Sequence, residues 1–241
     1  MKMKKQRLDK FISNQLTVSR STVRTGIQRG QALVNGNIIT DSGFIIDIDS
    51  DTVVYNNIIV KYKEFLYILM NKPSGILSAS NDKSRKTVVD LVVEKFNRKG
   101  LFPVGRLDKD TTGLLIITDD GVFAHNCISP KKGIPKTYIA ELDGDFDGKT
   151  VERFKNGIVL ADGTVCKPAL LERVSKNVAR LIITEGKYHQ IKRMFGTENL
   201  GVNKLHRESI GGLKLPEDLK EGEYVETNRA ELEKLILFSD K

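Results

Sequence analysis

Four ionisable side chains fall within five residues at Arg106-Leu107-Asp108-Lys109-Asp110. A carboxylate such as Asp108 can attack carbon as a nucleophile or remove a proton as a base, and the sequence leaves both roles open. The flat guanidinium of Arg106 can grip a phosphate or fill a gap in a stack of bases; it can also pair with Asp110. Asp110 stands beside Thr111 and Thr112, where a short acid ties down its own loop through local hydrogen bonds. Asp108 and Asp110 together could begin a metal-ligand set, but no further carboxylates or histidines cluster around them. Apolar runs flank the charges, Leu101 to Val104 before and Leu114 to Ile117 after. Bounded by Gly and Pro, these runs read as buried strands. The charges therefore sit on a loop held between two strands, where a rigid scaffold presents reactive groups.

Gly105-Arg106-Leu107-Asp108 followed by Asp110-Thr111-Thr112-Gly113-Leu114-Leu115 resembles the signature loop of pseudouridine synthases. It is most similar to the RsuA-type branch, which modifies ribosomal RNA. The resemblance implies that Asp108 is the essential carboxylate. Tyr138, in Lys136-Thr137-Tyr138, matches the family segment whose tyrosine stacks on the target base. Lys192 closes His189-Gln190-Ile191-Lys192, a motif whose last basic residue pairs with the aspartate. With Arg193 adjacent, the spacing alone does not say which of the two cations faces the site. Lys72-Pro73-Ser74-Gly75 matches a further family loop and adds Lys72 to Arg106 as a substrate contact. The reaction implied breaks the bond from C1′ to N1 of uridine and remakes it to C5. It requires no redox step, no phosphate energy, no cofactor and no metal.

The elements that must position these groups are legible from periodicity. The 241 residues carry a net charge of +8 that is concentrated at one end. Up to Arg29 the basic residues are Lys2, Lys4, Lys5, Arg7, Lys10, Arg20, Arg24 and Arg29, against the single acid Asp9. A basic end on a near-neutral body predicts a polyanion bound through its phosphates. Leu8, Phe11, Ile12 and Leu16 share one helical face; Ser19 or Ser21 caps a second helix with Val23 and Ile27 inward. Arg20 and Arg24 share a face of that helix, and Arg29 closes it. Asn35-Gly36 and Asn56-Asn57 each predict a tight hairpin. Arg7-Leu8-Asp9-Lys10, Ser19-Arg20-Ser21, Arg24, Gly30 and Val34-Asn35-Gly36 resemble the S4 RNA-binding domain, with Asp49-Ser50-Asp51 where that family usually has a Gly-Asp turn. The resemblance makes Lys10, Arg20, Arg24 and Arg29 RNA contacts.

After a polar break at Lys61 to Glu64, Phe65 to Met70 reads as a buried strand, and residues 87 to 99 as an amphipathic helix ended by Gly100. Further on, Tyr138 to Leu142 reads as a strand, Asp162-Gly163 as a hairpin turn, and the segments either side of Lys176-Asn177 as paired strands. Glu185 to Phe195 is expected to start a helix, with Ile191, Met194 and Phe195 inward. Val202 to Leu205 and Leu213 read as strand. Thr227 or Asn228 caps a last helix that buries Leu232, Leu235 and Ile236.

The fold class expected is α+β: a small S4 domain over residues 1–61, then a catalytic domain over 62–241 built on a mixed, mainly antiparallel sheet. No run of about 18 apolar residues marks a membrane span, and no apolar core follows the basic start as a secretion signal would require. Cys127 and Cys166 stand apart, which suits a reducing cytoplasm and not a zinc site. The expected function is isomerisation of a specific uridine in ribosomal RNA by a monomer acting on the RNA or on a small-subunit precursor. The opening Arg7-Leu8-Asp9-Lys10-Phe11 favours 16S RNA. The alternatives are a large-subunit enzyme of the same family, a non-catalytic S4-type ribosome-assembly protein and a metal-dependent ribonuclease.

Overall fold

A computed structural model describes residues 4–16, 18–96 and 98–237. Lys2, counted above in the basic end, lies outside them. The chain divides into two compact units, one running to Leu66 and taking in Val92–Leu101, the other formed by Tyr67–Leu91 and the chain from Phe102 onward.

In the first unit, β1 (Lys5–Arg7) leads into α1 (Leu8–Leu16) and α2 (Arg20–Gln28), followed by β2 (Ala32–Val34), β3 (Asn37–Ile39), β4 (Ile45–Asp47), β5 (Val53–Tyr55) and β6 (Ile58–Ile59). Leu8, Phe11 and Ile12 from α1 and Val23 and Ile27 from α2 are buried in one core with Ala32, Val34, Val53 and Tyr55. Ser19 caps α2, its side chain accepting from the Thr22 backbone N–H. The strands run in the order β3-β2-β5-β6, while β1 pairs separately with β4. Asn35 and Gly36 both take positive φ, as do Asn56 and Asn57, which is the backbone a two-residue hairpin of the right twist requires. The Asp49-Ser50-Asp51 segment turns through Asp51, whose backbone N–H donates to the Asp47 carbonyl and whose carboxylate accepts from the Asp47 N–H.

The second unit opens with β7 (Tyr67–Lys72), buried at all six positions. Next along the chain comes α3 (Val88–Phe96), of which Val92 onward is counted with the first unit. Its start is a reciprocal cap: the Asp90 carboxylate accepts from the Thr87 N–H, and the Thr87 hydroxyl accepts from the Asp90 N–H. Then follow β8 (Phe102–Val104), β9 (Thr112–Thr118), α4 (Gly121–Ile128), β10 (Lys136–Leu142), α5 (Gly148–Asn156), β11 (Leu170–Ser175), β12 (Val178–Ile183), α6 (Gln190–Gly196), β13 (Val202–Ile210), β14 (Leu213–Lys214), β15 (Tyr224–Thr227) and α7 (Arg229–Leu237). The main sheet has the order β11-β12-β10-β13-β9-β7-β15, with β8 added to β9 and β14 to β13. Every pairing in it is antiparallel except β13 with β9. The fold is α+β, as expected.

Three local expectations need correction. Residues 185–189 are not helical, and α6 begins at Gln190. The Gln190 side chain bonds back to the turn, accepting from the Lys187 N–H and donating to Glu185, which fixes the helix start. Leu235 is 36% exposed, while Leu232 and Ile236 carry the buried face of α7. The hairpin at Asp162-Gly163 is reduced to a single bridge, Val159 to Val165. Among the described residues no helix is long and apolar enough to cross a membrane.

Candidate active site

The signature loop, residues 105–111, joins two hydrogen-bonded strands, β8 and β9. It is held by the last residue of β7 and the segment that follows. The Lys72 ammonium is fully buried and donates to the carbonyls of Pro73, Lys109 and Thr111 at 2.9–3.0 Å. The Gly75 N–H donates to the Lys109 carbonyl, and the Ser78 hydroxyl accepts from the Leu107 N–H. Within the loop, the Thr111 N–H closes a turn on the Asp108 carbonyl. Seven residues of charged chain are thus fixed as a rigid turn. Burial pulls the Lys72 pKa down to about 8, against the opposing pull of Asp110 and Asp108. Lys72 was expected to touch substrate, but all three of its donors are taken by carbonyls below the surface. It is a clamp on the loop.

Around this turn the other candidates gather from separate elements. Tyr138 on β10 is buried in one apolar cluster with Leu107 and Ile191, the residues immediately before Asp108 and Lys192. Lys192, in the first turn of α6, places Nζ 2.5 Å from Asp110 Oδ2. This contact holds the Asp110 carboxyl below its usual range. The expected partner of Lys192 was Asp108. Instead, Asp108 has the His189 imidazole beside it, Nε2 to Oδ1 at 3.6 Å. Arg193, the neighbouring cation, pairs away from both acids with Asp162 at 2.5 Å. Arg106 is exposed and, among the described residues, makes no ion pair; the alternative of an Arg106–Asp110 bridge is not adopted.

Sequence reasoning missed two residues here. His189 received no role of its own, although it lies in the same motif as Lys192. Arg207 had no signal: it lies mid-strand between polar neighbours, yet it is only 2% exposed. Its Nε donates to the Leu114 carbonyl at 2.8 Å, and its Nη2 is buried without a partner. The register explains its place. Lys72 pairs with Gly113, Gly113 with Arg207, and Arg207 with Tyr138, a row crossing four strands directly under the loop. Gly113 takes φ +104°, and a Cβ there would meet the Arg207 carbonyl oxygen at 2.4 Å, so only glycine fits the row. Among the described residues no three His, Cys, Asp or Glu side chains come together as metal ligands.

In the first unit, Asp9 is fully buried and takes three guanidinium partners: Arg7 at 3.2 Å, Arg20 at 2.9 Å and Arg24 at 2.8 Å. Burial alone would raise the Asp9 pKa, but these hydrogen bonds hold it far below the usual carboxylate range. The three arginines are each about half exposed, fanned around one acid. Lys10 and Arg29 are exposed on the same unit.

Comparison with known proteins places these features in a family. The model of the RNA pseudouridylate synthase family matches residues 66–197, and that of the S4 domain matches residues 6–53. The chain is 39% identical over 94% of its length to an RNA pseudouridine synthase of Bacillus subtilis, YtzG, of which it covers 96%. It is 37% identical over 95% of its length to the ribosomal small subunit pseudouridine synthase A of Escherichia coli, and covers all of that protein. A crystal structure of a pseudouridylate synthase, 34% identical, superposes with a TM-score of 0.67 over 95% of this chain and 99% of the other.

Proposed function

The chain belongs to the RNA pseudouridylate synthase family and carries an S4 domain, and on that premise we propose that it converts a specific uridine of ribosomal RNA, in the small subunit, to pseudouridine. Support for the small subunit comes from the name of the Escherichia coli relative, a ribosomal small subunit pseudouridine synthase whose whole length aligns with this chain.

The chemistry is assigned as follows. The target nucleotide leaves its stack, at a cost of a few kcal/mol that contacts elsewhere offset. Asp108 acts on the ribose or base while the C1′–N1 bond breaks. The uracil turns, C1′ bonds to C5, the C5 proton departs and N1 ends protonated. Lys192 keeps Asp110 charged and ties α6 to the loop that carries Asp108. Tyr138 forms the apolar floor on which the loosened base rests. Arg106, exposed and without an ion pair among the described residues, takes a phosphate or the gap left by the extruded nucleotide. Lys10, Arg20, Arg24 and Arg29 of the S4 domain, residues 1–61, hold the RNA backbone, and residues 62–241 form the catalytic domain. The one observation that carries this assignment is the clamped loop, whose Asp108 and Asp110 meet His189 and Lys192 and whose Leu107 packs in one cluster with Tyr138.

Pseudouridine mapping across all rRNA, in cells with the protein, without it and with Asp108→Asn, is the test. One small-subunit uridine should lose its modification in the last two. Loss at a large-subunit uridine would move the substrate to that subunit, and no loss anywhere would overturn the proposal.

A further inference from the structure

The turn before α6 holds a tyrosine where packing gives it no reason to be. Tyr188 is 76% exposed, the most exposed of the large hydrophobic side chains among the described residues. Its ring stacks on that of His189, with centroids 3.9 Å apart and planes 19° from parallel. The backing ring is itself fixed. His189 adopts the left-handed backbone conformation, rare for a residue with a Cβ, and its Nε2 faces Asp108 at 3.6 Å. The turn is pinned from inside by Gln190 and Glu185, both buried, and Arg193 donates to the Tyr188 carbonyl. A rigid support therefore presents one open aromatic face to solvent, one ring-stack away from the proposed catalytic acid.

The geometry points to Tyr188 as a stacking platform for the nucleotide next to the target uridine, with His189 as its backing plate; this rests on the RNA-modifying function proposed above. The target's own ribose must reach Asp108, and its base has Tyr138. A ring displaced from Asp108 by the width of a stacked pair is placed for a neighbour along the strand. Stacking of this kind tolerates any base, because every base has a π face. Tyr188 would thus hold the strand in its opened form after the target has left it, independent of sequence.

The experiment uses the full chain and small-subunit rRNA transcript, then a fragment carrying the mapped uridine, with an abasic site placed in turn at each neighbour. Tyr188→Ala should weaken binding of the intact fragment about tenfold, and Tyr188→Phe should keep it within about twofold. An abasic site at the stacked neighbour should weaken the wild-type protein by a similar factor and abolish the difference between wild type and Tyr188→Ala. The inference is overturned if neither abasic site affects the wild type, or if the Tyr188→Ala defect persists undiminished with both. A wild-type protein that forms no pseudouridine in any rRNA would instead remove the function on which the inference rests.

Discussion

Lys192 binds Asp110, not Asp108: its ammonium sits 2.5 Å from the second acid of the loop, while the first faces His189. The two carboxylates are thereby set apart in role. Among the described residues Asp108 pairs with no lysine or arginine, and Asp110 tethers α6 to the loop. Asp108→Asn should abolish isomerisation while RNA affinity stays within several-fold. Asp110→Asn should reduce turnover about tenfold, since Lys192 can then move to Asp108. Single-turnover rates with matched binding curves would check both; full activity in Asp108→Asn would refute the assignment.

Lys72 offers a pH test with opposite signs for stability and activity. Its folded pKa of about 8 lies below the ordinary 10.5. Between those values the unfolded chain keeps a proton that the folded chain has released. This residue's contribution to stability therefore rises with pH across that window. Over the same interval the neutral amine has one donor fewer for three carbonyls, and the loop loosens. The single-turnover rate should fall with a midpoint near pH 8 while wild-type stability, relative to Lys72→Met, rises. Lys72→Met should leave its carbonyls unpaired, lower turnover by about a hundredfold and lack the alkaline fall. A rate that stays flat from pH 7 to 10 would argue against the clamp.

Gly113→Ala should be among the most damaging single-methyl changes in the chain. The added carbon meets backbone of the neighbouring strand, which cannot rotate away, and the positive φ adds strain. A loss of at least about 3 kcal/mol is expected from urea unfolding. A shift within experimental error would mean that β9 and β13 yield easily.

Asp9→Asn separates net charge from organisation. Removing an acid raises the positive charge of the S4 domain, which on charge alone strengthens RNA binding. The three arginines it spaces would lose their common anchor, and the half-exposed pairs leave an expected destabilisation of about 2–3 kcal/mol. Weaker binding, by about tenfold in filter or anisotropy titrations at constant salt, is the expected result. Tighter binding would show that the arginines need no scaffold. The stability this carboxylate confers is present above its unfolded pKa and is lost as pH falls toward its much lower folded value.

The elements with a strong local signal were legible before any coordinates. Charges between two apolar runs marked the loop from Gly105, Asn-Gly and Asn-Asn marked the hairpins, and Ser19 marked a helix start. What periodicity misses is polar residues buried by distant partners. Lys72 ends a strand buried at every position because carbonyls from the signature loop satisfy it. Arg207 lies in a strand whose neighbours His206 and Glu208 look solvent-facing; its burial comes from the register with Gly113 and Tyr138. The pairing of Lys192 is a matter of ångströms across α6, below what spacing resolves. The helix start at Gln190 depended on a side chain reaching back to Glu185.

The place of β13 in the sheet has a temporal consequence. Take that strand away and the order falls into two blocks, β11-β12-β10 and β9-β7-β15. Asp108 belongs to the second, Tyr138 to the first. Asp108, Tyr138 and Lys192 are all made before Val202, whereas β13 and then β15 come later, so the reactive groups exist before the sheet that joins them can form. Until that strand slots in, the acid and the tyrosine stand in blocks that no shared strand joins.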